Sequence, residues 1–104
     1  MEWYRNLYTG KNIQDKKEKI IREIEAQVYR GTTYLITLAA NPANELELLS
    51  VHELRFNYIR RNCPLIVGLA RGRKEALELL EQIVQEVYAA TGDVKIKEYI
   101  ARKQ

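Results

Sequence analysis

Residues 64–80, PLIVGLARGRKEALELL, pass from an apolar run through two glycines and three basic residues into a helical pattern. The run 65–70 is almost continuously apolar, the mark of a strand covered on both faces. From 73 to 91, Leu77, Leu80, Val84, Val87 and Tyr88 share one helical face, widened by Ala76, Leu79 and Ile83. Glu75, Glu78, Gln82, Gln85 and Glu86 take the opposite face. An apolar face this wide predicts a helix laid across a sheet.

Upstream, TTYLITLAA at 32–40 is a second β-branched and aromatic run, bounded by Gly31 and by Asn41-Pro42. Asn12 suits a helix cap, and Ile13, Ile20, Ile21, Ile24 and Val28 follow at helical spacing until Gly31. Pro42 suits the first position of a helix capped by Asn41, so 42–61 reads as helical. Ser50 and Glu53, at capping-box spacing, divide it into two short helices or kink it. The first twelve residues hold Trp3, Tyr4, Leu7 and Tyr8 and read as an aromatic arm packed on something else. At the other end Val94 and Ile96 alternate with Lys95 and Lys97, and the strand reading is preferred to a short helix burying Ile96, Tyr99 and Ile100. The order α–β–α–β–α–(β) predicts one small α/β domain, two or three mostly parallel strands covered by helices.

The 104 residues fit a single core. Hydrophobic residues at 46% and charged residues at 30% are ordinary globular values, which argues against disorder outside the ends. The one cysteine, Cys63, forms no internal disulfide, and the opening MEWYRNLYTG lacks an apolar leader, so a cytoplasmic protein is expected. No apolar window reaches membrane-spanning length. His52 and Cys63 have no companion ligands at metal spacing, so neither a metal nor another cofactor is implied. Ser50 and His52, two apart on a helix, point to different sides, which argues against a catalytic pair.

Parallel strands would bring their carboxyl ends to one rim, where open α/β sheets hold ligands. That rim would carry Asn41 and Asn44 after the first strand, and Gly68, Arg71, Gly72, Arg73 and Lys74 around the end of the second. Helix amides there favour an anion, phosphate or nucleotide. The Walker pattern is broken, however: Gly68 and Gly72 enclose three residues, and Lys74 precedes Glu75 rather than Ser or Thr. The formal charge of +3 is unevenly spread, with Arg60, Arg61, Arg71, Arg73 and Lys74 inside 60–74 and no carboxylate among them. Weak nucleic-acid contact through that stretch is a third possibility. Trp3, Tyr4, Tyr8 and Tyr99 read as interface aromatics.

The segments YLITLAANP, VGLARG and EALELLEQIVQEVY resemble a set of small uncharacterised bacterial proteins, over most of residues 8–100. The resemblance implies a bacterial cytosolic origin and transfers no activity. The expectation is a non-catalytic interaction or regulatory module, a homodimer or a binder of another protein. A small anion- or nucleotide-binding domain is the alternative.

Overall fold

A computed structural model describes residues 1–104. The chain forms strand β1 (Trp3–Thr9), a 3-10 turn (Lys11–Lys16), helix α1 (Lys17–Glu25) and strands β2 (Thr33–Leu38) and β3 (Leu46–Ser50). A second 3-10 turn (Val51–Arg55), the short helix α2 (Asn57–Arg61), strand β4 (Ile66–Arg71) and helices α3 (Arg73–Thr91) and α4 (Ile96–Lys103) follow. The protein is thus α/β, as its alternating strand and helix patterns predict. The sheet itself differs from expectation: it has four strands in the order β1-β4-β2-β3 and is mixed.

Only β1 and β4 run parallel; β2 is antiparallel to both β4 and β3. The two apolar runs at 32–40 and 65–70 are therefore neighbours pointing in opposite directions. The reason lies between them. Residues 46–50 do not continue a helix after Pro42 but pair with β2 residue for residue, from Tyr34 with Ser50 to Leu38 with Leu46. Asn41 caps a turn in place of a helix: its side-chain oxygen accepts the Ala43 N–H at 2.9 Å and its carbonyl accepts the Asn44 N–H at 3.0 Å. One hairpin reverses the chain, and β4 then enters on the other side of β2.

Two further expectations are corrected. The aromatic arm is an edge strand of the sheet, and residues 96–103 are helical because Ile96 and Ile100, one turn apart, both bury in the core.

Alternation along the strands feeds two cores. Leu35, Ile66 and Leu69 face a layer made by Ile13, Ile20, Ile24, Val51 and Leu54. Ile36, Val67 and Ala70 face α3 and α4 through Ala76, Leu79, Ile83, Val87, Ile96 and Ile100. Ile36 pairs with Gly68 and Thr37 with Ile66, so Val67 is an extra residue in β4. This bulge keeps both Ile66 and Val67 buried, on opposite faces.

Candidate functional site

The strand directions split the predicted rim. Arg71, Gly72, Arg73 and Lys74 lie at the carboxyl end of β4, whereas Asn41 and Asn44 lie in the β2–β3 hairpin at the opposite end of the sheet. The Asn41 carbonyl there also accepts from Lys97 Nζ at 3.2 Å. Arg60 and Arg61 precede β4 and are parted from Arg71 by the strand's six residues, roughly 20 Å of extended chain. The basic stretch 60–74 is thus not one patch.

What replaces the rim is the end shared by the two parallel strands. β1 hands over to the Lys11–Lys16 turn and β4 to α3, and between them opens a polar cleft of about 730 Å³ lined by Lys11, Asn12, Arg71, Lys74, Glu75 and Glu78. Gly72, at φ 80° and ψ 156°, makes the corner into α3 without a side-chain cap. Its N–H donates to the Thr32 carbonyl at 2.7 Å.

The position an anion would take in this cleft is filled from within. Glu75 Oε1 accepts the Asn12 N–H at 2.9 Å, and Oε2 accepts the Arg71 N–H at 2.9 Å and Asn12 Nδ2 at 3.5 Å. A Cβ on Gly10 would overlap this carboxylate, so the close approach requires glycine there. With Glu78 alongside, the cleft holds two carboxylates against three cations. The corner after β4 is closed by the protein's own acid, and the cleft is close to neutral.

A second groove lies on the other side of Arg71. It is about 330 Å³ in volume and is lined by Lys16 and Lys19 from the α1 side, Arg30 and Thr32 before β2, and Arg71. Its one carboxylate, Glu23, pairs with Arg30 at 2.6 Å. Next to the groove, His52 Nε2 lies 2.8 Å from the carbonyl of Gly31, one of its lining residues. Lys16 and Lys19 belong to a helix face that sequence alone reads as solvated surface; nothing in the pattern places them beside Arg71.

The other residues singled out by sequence are occupied structurally. Ser50 accepts from His52 N at 3.3 Å while Glu53 accepts from Ser50 N at 2.9 Å, a capping box that starts the 3-10 turn. Cys63 is half-buried, and burial pushes its thiol pKa up, which suppresses the reactive thiolate. No three His, Cys, Asp or Glu side chains gather as a metal-holding group. No helix is long and apolar enough to cross a membrane.

Of the four aromatics read as interface residues, Tyr4, Tyr8 and Tyr99 gather at the β1–α4 side of the domain. Tyr4 is buried in the core, and Tyr8 stacks on it with centroids 6.1 Å apart. The Tyr8 hydroxyl donates to the Glu86 carboxylate. Trp3 packs on the opposite core, and Tyr99 lies beneath Lys103, 5.5 Å from its centroid. Much of their surface is spent inside the monomer.

Exposed apolar side chains lie elsewhere, at Phe56 and Tyr58 around the start of α2, 65% and 79% exposed, and along α3. Leu77 is 46% and Tyr88 59% exposed, and Leu80 and Val84 between them are half-covered. At 100° per residue these four form one flank of α3, opposite the flank from which Glu75 and Glu86 reach β1 and the turn after it. They therefore look toward the β3 end of the sheet, where Leu46, Leu48 and Tyr34 face the same layer half-buried. β3 is an edge strand, paired on one side only. Comparison with protein-family models, curated proteins and solved structures found no match for this chain.

Proposed function

We propose that the protein is a non-catalytic interaction module that works as a homodimer, joined through the α3 flank and the free edge of β3. The observation that carries the reading is the unpartnered flank of Leu77, Leu80, Val84 and Tyr88 beside a strand with one unpaired side. Soluble domains rarely leave an apolar stripe and an open edge together, because the two invite another chain.

A second copy suits the site because the surface complements itself. About a two-fold axis through Leu48, β3 pairs antiparallel with its own copy, and the two α3 flanks meet above the joined sheets. A typical interface takes about 800 Å² from each partner. That is roughly an eighth of the 6593 Å² this monomer exposes, a share that α3, about 28 Å long, and the five-residue edge can supply together.

Sedimentation equilibrium of the purified protein tests the reading. A dimer at micromolar concentration is expected, and a Leu77→Glu, Tyr88→Glu variant with the native circular dichroism spectrum should sediment as a monomer. A monomeric wild-type protein at 100 times that concentration overturns it.

A further inference from the structure

The groove at Lys16, Lys19, Arg30 and Arg71 belongs to a different surface from the α3 flank. Three observations single it out. First, charge is concentrated there: four cations face one carboxylate in a single 330 Å³ groove. The neighbouring cleft, with Glu75 and Glu78, is nearly balanced.

Second, three of these four cations are left without partners. The molecule has 14 carboxylates, yet its only ion pairs within 4 Å are Arg30–Glu23 and Lys95–Glu98. Lys16, Lys19 and Arg71 have none.

Third, cations gather at the starts of both helices that flank it. Lys16 stands at the N-cap of α1 with Lys17 and Lys19 in its first turn, and Arg73 and Lys74 open α3 just past Arg71. Cations at a helix N-terminus meet the positive end of the dipole, and Lys16 and Lys19, three apart, repel each other. Each first turn also holds one carboxylate, Glu18 in α1 and Glu75 in α3, but the cations outnumber it in both. The excess of cations at both helix starts adds to the positive field at this place.

We propose that this groove binds a multiply phosphorylated small anion, with the cations neutralising successive phosphoryl groups. A single carboxylate or monoanion would leave most of the charge uncompensated. Arg71 supplies a planar fork suited to phosphoryl oxygens, and Lys16 and Lys19 supply point charges from the facing wall. Thr32, exposed in the lining, can add a neutral hydroxyl donor. The volume falls at the lower end of the range for small-molecule sites, and no exposed aromatic lines the groove to stack a base. Recognition therefore rests on the phosphate chain.

Thermal unfolding with sodium tripolyphosphate, against sodium sulfate at equal ionic strength, tests the proposal. Tripolyphosphate should raise Tm by roughly 5–10 °C near saturation, and sulfate by much less. A Lys16→Gln, Lys19→Gln, Arg71→Gln variant should fold and lose the rise, whereas Arg60→Gln, Arg61→Gln should keep it. ATP as a further arm separates the sources: a larger shift than tripolyphosphate assigns the site to a nucleotide, an equal one to the polyphosphate alone. No shift with either, an equal shift in the groove variant, or tighter binding of a DNA duplex than of tripolyphosphate each overturns it.

Discussion

Glu75 occupies the first turn of α3, where the helix dipole already favours a carboxylate. Its oxygens are nevertheless turned outward to the backbone N–H groups of Asn12 and Arg71. One side chain thus starts the 3-10 turn after β1 and holds the end of β4. Glu75→Gln keeps the shape but sets an NH₂ against one of these donors. The expected loss is about 1–2 kcal/mol, the usual cost of a lost charged acceptor, read as a lower urea midpoint with unchanged slope. An unchanged midpoint would show the carboxylate to be incidental. Tyr8 carries a pH-dependent counterpart. Burial first, and then the hydrogen bond to the Glu86 carboxylate and its charge, raise the Tyr8 phenol well above its ordinary value of 10.0. The fold therefore favours the neutral phenol. That stabilisation is fully present below pH 10.0 and is lost as pH climbs through the raised value. Melting temperature should fall less steeply above pH 10 in Tyr8→Phe than in the wild type. Parallel alkaline curves would place the titrating group elsewhere.

At the scale of elements, the sequence reveals those whose pattern matches one burial geometry. β2, β4 and α3 lie where the apolar runs and the wide helical stripe put them. Residues 46–50 mislead by contrast: Leu46 and Leu49 sit at the helical spacing by which 42–61 reads as helical, but Leu46 and Leu48 also alternate, and partnership with β2 makes the segment a strand. The signal for β1 was present in Trp3, Tyr4, Tyr8 and Thr9, all good strand formers. Arg5 and Asn6 interrupt the alternation, and there the pairing with β4 shifts register, from Trp3 opposite Ile66 to Tyr8 opposite Gly68. The 94–100 segment shows the reverse error. Its alternation over four residues was weaker evidence than the i, i+4 pair of Ile96 and Ile100, because the segment docks at one end of the sheet and needs only one apolar face. The candidate site divides in the same way. Arg71 to Lys74 could be read as a basic corner, but Lys16 and Lys19 reach it only because α1 folds back across the sheet.

For the whole molecule, one hairpin sets the direction of β4, and that direction decides which surfaces exist. A parallel arrangement would have gathered both strand ends at one rim; the mixed sheet sends Asn41 and Arg71 to opposite ends. It also leaves β3 at the margin, where α3, lying over β4 and reaching β2 and β1, has its apolar flank uncovered. In the proposed homodimer, association stabilises the folded chains, so stability rises with concentration. For two 104-residue chains unfolding together, each tenfold increase in concentration should raise Tm by about 3 °C. The Leu77→Glu, Tyr88→Glu variant changes only exposed side chains of α3, so its monomer should fold with a Tm that does not vary with concentration. A wild-type Tm equally indifferent to concentration from 1 to 100 times a micromolar starting point would mean that the flank and the β3 edge are solvated in the native protein.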